Sequence, residues 1–235
     1  MNAREICSEV YNLSGFGAVT AYANGDLDDK LIFFLLRRVA RDMAKYRWQE
    51  LVRTHYLNIN SASNSYNMPS DFREMIPGSV RTMEDLRPVN FPTDFETWAQ
   101  IDSKVGITGV QHRMRFQEGK LATLPSDTDS YTIRFDYISD FPVESPISLP
   151  EQPDPVRIKT FETDNDVWLL DEDLIIKALK AKWSIEKGLE TMQSDMGDFQ
   201  GYLLELKGTQ AHSQRIMMGG SSPYMPQAPY TNLWK

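Results

Sequence analysis

Five acids crowd one short stretch of this sequence: Asp164, Asp166, Asp171, Glu172 and Asp173. Carboxylates that converge can hold Mg²⁺ or Mn²⁺ and assist phosphodiester hydrolysis, so a metal-dependent nuclease or phosphoesterase is one reading of the chain. A second reading needs no metal. Asp171, Glu172 and Asp173 stand at the start of a strong helical pattern, where capping and the helix dipole call for acids. Asp164-Asn165-Asp166 is not followed by the glycine of a calcium loop. The structural reading is preferred, and the chain is expected to be no enzyme, with no catalytic residue, cofactor or metal.

Other chemistry-bearing residues give less. His55, His112 and His212 lie far apart, and none belongs to an HxxxH or HExxH arrangement. They read as surface or partly buried histidines. Cys7 is the only cysteine, so neither an intrachain disulfide nor a cysteine-based zinc site can form. It reads as a small apolar residue on the first helix. The chain has no GxSxG elbow and no phosphate-binding loop. Gly15-Phe16-Gly17 has Thr20 where a dinucleotide fingerprint needs Gly or Ala, and no strand precedes it.

Arg37, Arg38, Arg41, Lys45, Arg47 and Arg53 form a basic stretch. Such a stretch could touch DNA phosphates. It could equally pair with the acidic second half of the protein or with a neighbouring subunit. The net charge of −8 repels a phosphate backbone, so pairing is the preferred reading over a DNA-binding accessory role.

These residues must be carried by elements that the hydrophobic pattern outlines. Residues 3–13 read as a short helix stopped by Ser14-Gly15. Asp26, Asp28 and Asp29 then suit a helix start. Leu31, Leu35, Val39, Met43 and Tyr46 recur near helical spacing, and no Gly or Pro interrupts residues 28–55, so one helix of about 40 Å is expected there. Strands are expected at 56–60 and 66–68 around the polar turn SASNS, and at 79–83 and 86–91. A helix is expected over 93–105. Residues 112–117 and 120–124 flank Glu118-Gly119 as a hairpin. Tyr131, Ile133, Phe135 and Tyr137 share one strand face. Five prolines between 140 and 156 read as an extended connector without packing. Helix resumes at Asp171 with Leu174, Ala178, Ala181 and Ile185 as its apolar stripe, and a last helix spans about 190–210.

The expected fold class is therefore α+β. Residues 1–55 and 157–213 form a helical body that buries the stripes of both chain ends. Residues 56–139 form a mostly β insertion lobe, 140–156 the connector, and 214–235 an extended C-terminal tail. The longest apolar run, Leu31 to Leu36, is far too short to span a bilayer, and the N-terminus lacks a signal-peptide core. No membrane partner is expected, and the chain reads as one made in a reducing cytoplasm.

Several phrases carry a family resemblance. SYNMPSDFREMIPGSV, the strand YTIRFDYIS, and DNDVWLLDEDLIIKALKAKW with KGLE resemble the head-to-tail adaptor proteins of tailed bacteriophages, nearest to the tail accessory factors of short-tailed phages. The sharpest phrase is Tyr66, Pro69, Asp71 and Phe72; the next is Leu170 to Leu174 leading to Trp183. The resemblance covers about residues 30–205. It implies a virion structural protein whose subunits form a ring of twelve copies in the neck, assembled in the host cytoplasm. That ring docks on the portal protein and receives the tail or nozzle protein. Duplex DNA passes through it at genome ejection without specific binding. Other neck and tail-completion proteins share this size and class.

The tail contains Gly219-Gly220-Ser221-Ser222, and Pro223, Pro226 and Pro229 keep the residues beyond it extended. It still carries Tyr224, Tyr230 and Trp234, which a mere linker does not need. Adaptor tails reach along the portal, so these three are expected to bind the portal or a neighbouring subunit on assembly. Ordering the segment costs entropy, so several copies must act together.

Overall fold

A computed structural model describes residues 1–16, 25–60, 65–89, 91, 96, 98, 113–124, 130–146 and 156–217, with the side chains of 124 and 210–217 excepted. It is a mixed fold: among the described residues are four α-helices and three antiparallel sheets.

Helix α1 spans Ala3–Leu13. Asn2 accepts a hydrogen bond from Glu5 N, and Glu5 accepts one from Asn2 N, a reciprocal cap. Ile6, Cys7, Val10 and Tyr11 are buried at helical spacing. The helix stops at Ser14, and Gly15 takes φ +79°, a left-handed conformation that suits glycine. Helix α2 spans Leu27–Met43 and starts with the same device, Asp26 capping Asp28 N and Asp29 N while Asp29 accepts from Asp26 N.

The single helix expected over 28–55 is not present: α2 ends at Met43, and a 3₁₀ turn at Gln49–Leu51 leads into strand β1, Val52–Ile59. No local breaker causes this. Lys45 N and Tyr46 N close tight turns onto the last carbonyls of the helix, Asp42 O and Met43 O, and side chains hold the chain there and just beyond. Arg73 donates to the carbonyls of Ala44, Lys45 and Tyr46, and Trp48 Nε1 donates to Met43 O at 2.8 Å.

Strand β7, Tyr131–Ser139, is the spine of the first sheet. It pairs with β1 and with β3, Phe72–Met75, and also with the short β4, Arg81–Thr82. Ile133, Phe135 and Tyr137 face one buried side as the alternation required. Strand β2, Ser65–Tyr66, does not return onto β1. It pairs with β6, Lys120–Leu124, which pairs with β5, Arg113–Gln117. The expected β5–β6 hairpin is present, with Glu118 and Gly119 both at positive φ. The strands expected at 79–83 and 86–91 shrink to β4 and one bridge from Arg81 to Pro88. Thr82 Oγ1 bonds Asp85 and accepts from Arg87 N, which ties this stretch into a tight loop instead. Of the helix expected over 93–105, only 96 and 98 are described, and both are helical.

Part of the proline-rich segment is packed, contrary to its reading as an unpacked connector. Strand β8, Val143–Ser145, lies between β9, Val156–Ile158, and β10, Val167–Trp168. Val143 is fully buried in the main hydrophobic cluster, and Pro142, just before the strand, extends the pairing by accepting from Leu169 N at 3.1 Å. Helix α3 spans Glu172–Lys187 between the cap Asp171 and the left-handed Gly188. Its stripe includes Leu174, Ala178 and Ala181, but Ile185 is 41% exposed. Trp183 holds the buried direction in the last turns, and two residues carry the helix about 200° round. Helix α4 spans Met192–Met217, so residues 214–217 of the expected tail are helical.

One hydrophobic cluster joins α1, α2 and α3 with Trp48, Leu51, Phe161, Trp168 and Leu203 of α4. A second joins residues of β1, β2, β3, β5, β6 and β7. No helix among the described residues is long and apolar enough to cross a membrane.

Candidate functional site: buried acids and a cationic helix face

Asp71 is the buried centre of the Tyr-x-x-Pro-x-Asp-Phe phrase. Its Oδ1 accepts from Tyr137 Oη at 2.8 Å, and its Oδ2 accepts from Ser139 Oγ at 2.8 Å and Arg53 Nη1 at 2.9 Å. Burial pushes the carboxyl up, but the hydroxyls of Ser139 and Tyr137 and the Arg53 guanidinium outweigh it, so Asp71 lies below the usual carboxylate range. Burial and the bond to Asp71 push the Tyr137 phenol up to about 12. These partners come from two strands, Arg53 from β1 and Tyr137 and Ser139 from β7, so Asp71 locks the turn before β3 onto both.

The acid stretch is used in a similar way. Asp166 is fully buried; it accepts from Glu162 N at 2.6 Å, Thr163 N at 2.7 Å and Thr163 Oγ1 at 2.8 Å. The carbonyls of Asp166 and Asp164 accept from Ala3 N and Arg4 N, the first free donors of α1. Asp171 caps Leu174 N at 2.8 Å and accepts from Tyr202 Oη at 3.1 Å. Glu172 pairs with the amino group of Met1. Among the described residues, no three His, Cys, Asp or Glu side chains gather in a way that could hold a metal ion.

Asp195 was not singled out in the sequence. It is buried at the start of α4, with Thr191 Oγ1 at 2.9 Å, Lys180 Nζ at 2.9 Å and the Ser184 hydroxyl around it. Burial pushes it up, and the Ser184, Lys180 and Thr191 partners bring it below its ordinary value. Its only sequence signal was its position in a first helical turn. Arg73 was missed as well, since a residue that caps a helix from another element leaves no local pattern.

The basic stretch splits in two. Arg47 pairs with Glu74, Arg53 with Asp71, and Lys45 with Asp42. The first two partners lie in the β-rich stretch, not in the acidic second half. Arg37, Arg38 and Arg41 are exposed on α2 and make no ion pair among the described residues. Lys30 continues this face about two turns earlier, with exposed Phe34 between them and exposed Leu27 at its start. A groove of about 540 Å³ runs beside it, between Lys30, Phe34 and Arg37 on one wall and Glu162 to Asn165 on the other.

Of the histidines, His55 sits in β1 with its ring 5.3 Å from Phe135. Burial lowers its pKa, Asp71 opposes that and Arg53 reinforces it. His112 and the side chain of His212 lie outside the described residues, as do Tyr224, Tyr230 and Trp234. Cys7 is buried on α1. No family model matches the chain, and no curated protein matches it.

Proposed function

We propose that this chain is a virion structural protein, a head-to-tail adaptor whose copies close a ring between portal and tail. The observation that carries this reading is the outer face of α2. It holds Leu27 and Phe34 exposed beside four cations that find no ion-pair partner among the described residues. Exposed apolar side chains interleaved with unpaired charge are the composition of an interface core and its polar rim. The adaptor phrases centred on Asp71 and on the 170–174 helix start support the reading too, since both are built as rigid joints.

In this reading the N- and C-terminal helices are the ring-forming body. The β-rich insertion projects towards a neighbouring storey of the neck, and the C-terminal segment extends along the portal. The ring has twelve copies, joined by head-to-tail contacts that a rotation closes. Its channel surface is acidic or mixed, so that duplex DNA passes without being held. Electron cryomicroscopy of the neck of the virion that carries this protein tests it: a closed ring of copies beneath the portal is expected, and a single copy there overturns it.

A further inference from the structure

We infer that the cationic outer face of α2 docks on a second copy of this chain, on the acidic surface that α1, α3 and α4 share. The inference rests on the ring reading and names the two surfaces that would meet. The first surface is the outer α2 face, with Phe34 (53% exposed) amid Lys30, Arg37, Arg38 and Arg41. The second surface surrounds a groove of about 220 Å³ lined by Glu9, Asp173 and Asp198, with Leu13 (55% exposed) at its edge. Glu205 lies seven residues beyond Asp198 on the same side of α4, and both it and Asp173 act on the Tyr202 phenol.

The same groove contains two lysines, and both are already engaged. Lys180 Nζ pairs with buried Asp195 at 2.9 Å, and Lys177 Nζ sits 4.2 Å from the centre of the Tyr202 ring. The carboxylates of Glu9, Asp173, Asp198 and Glu205 make no ion pair among the described residues. The α2 face therefore carries four cations, and the acidic face four carboxylates against the one charge of Lys177; each has an exposed apolar residue, and the two faces are opposite in sign.

Their placement keeps them apart in one molecule. Arg4 of α1 lines the groove beside α2, whereas Glu9 and Leu13 of α1 line the acidic groove beside α3. Five residues of helix turn the direction by about 140°, so α1 stands between the two surfaces. Two unlike surfaces on different sides of one subunit make a heterologous contact, the kind that a closing rotation turns into a ring. Such a contact would also bury the arginines that could otherwise grip DNA phosphates, leaving a passing duplex without a cationic track. Glu162 and Asp164 on the far wall of the α2 groove limit the field of that stripe but leave its outer edge, Arg38 and Arg41, clear.

The test uses full-length chains in two charge-reversed forms, Arg38→Glu with Arg41→Glu, and Asp198→Lys with Glu205→Lys. All four positions are exposed helix sites, and unchanged circular dichroism and melting temperature establish folding. Sedimentation at low salt should show wild-type self-association weakened about tenfold or more in each variant alone, and restored when the two are mixed. A disulfide readout covers an association too weak to sediment. Phe34→Cys mixed with Leu13→Cys should cross-link to each other under mild oxidation, in preference to like-with-like pairs, while Cys7 stays buried. Absence of the 34–13 cross-link together with no effect of charge reversal overturns the inference, whether or not the neck contains a ring. Loss of duplex DNA binding in the Arg38/Arg41 variant with self-association intact also overturns it. A ring in the virion with neither signature leaves the adaptor reading standing and this contact wrong; the cross-link with a single copy in the neck does the reverse.

Discussion

Tyr137 and Asp71, 66 positions apart, meet in the protein interior with Tyr137 Oη donating to Asp71 Oδ1 at 2.8 Å. That bond sits at one corner of a cluster in which Ser139 and Arg53 take the other carboxylate oxygen. Replacing Asp71 by Ala strands two buried hydroxyls and releases a half-exposed guanidinium, so a loss of about 3 kcal/mol is expected. Asp71→Asn, which still accepts, should cost less. Urea unfolding followed by tryptophan fluorescence measures both, and equal stability of Asp71→Ala and wild type would disprove the role.

The same cluster sets an acid limit. The folded pKa of Asp71 and of Asp195 lies below the ordinary value, so each contributes stability that is present above the unfolded pKa of about 3.9 and is lost as pH falls through the folded value. Unfolding midpoints should therefore fall steeply below about pH 4, and the fall should be shallower in Asp71→Asn. A variant with the wild-type acid slope would show that other carboxylates dominate.

His55 gives a second slope at higher pH. Its folded pKa is depressed, chiefly by burial, so the unfolded chain binds the proton more readily. Stability from this residue is present above the unfolded pKa of about 6.5 and declines as pH drops below it. His55→Phe, which preserves contact with Phe135, should remove that part of the slope. The check is the difference between wild-type and variant midpoints across that range; a constant difference refutes it.

Arg73 fastens the chain just past α2 from a distance. Its guanidinium serves three carbonyls, those of Ala44, Lys45 and Tyr46, and a lysine cannot reproduce that fork. Arg73→Lys is expected to lose about 1–2 kcal/mol, given the worth of hydrogen bonds to a charged donor. Amide exchange at residues 43–48 should quicken more than exchange in α3. Uniform change across both would point to global destabilisation alone.

Asp166→Asn together with Asp164→Asn separates a structural acid stretch from a hydrolytic one. Three donors aim at the two Asp166 oxygens, and asparagine keeps only one accepting oxygen because its amide nitrogen only donates, so stability should drop by about 1–3 kcal/mol. Incubated with duplex or single-stranded DNA and Mg²⁺ or Mn²⁺, wild type and variant should behave alike and leave it intact. Cleavage by the wild type that disappears in the variant would promote the nuclease reading.

Deleting residues 219–235 removes Tyr224, Tyr230 and Trp234 together. The remaining chain retains every residue of both hydrophobic clusters, so its melting temperature should not change. Attachment to portal-bearing heads should fail. Normal attachment by the truncated chain would move docking to the helical body.

Local chemistry was enough to specify α1, the start of α2, the β5–β6 hairpin and α3. Asn2 with Glu5, Asp26 with Asp29, Glu118-Gly119, and Asp171 with Gly188 are caps and turns whose partners lie within a few residues. The face of β7 was legible for the same reason, because alternation repeats every two residues whatever the strand pairs with. What the tertiary structure decided is everything that depends on contacts remote in sequence. Helix α2 ends at Met43, where Trp48 Nε1 takes the last carbonyl and Arg73 holds the carbonyls of Ala44, Lys45 and Tyr46 just past it, and no Gly or Pro there announces the stop. Strand β2 joins β6 rather than β1, and its link to the end of β1 is made instead by the Tyr66 hydroxyl bonding the Asn60 backbone, a pairing that local sequence does not specify. The basic stretch looked uniform in sequence. Folding sent Arg47 and Arg53 to acids in the β-rich stretch and left Arg37, Arg38 and Arg41 on an open helix face, because a strand begins at Val52 and turns the chain away from the helix axis.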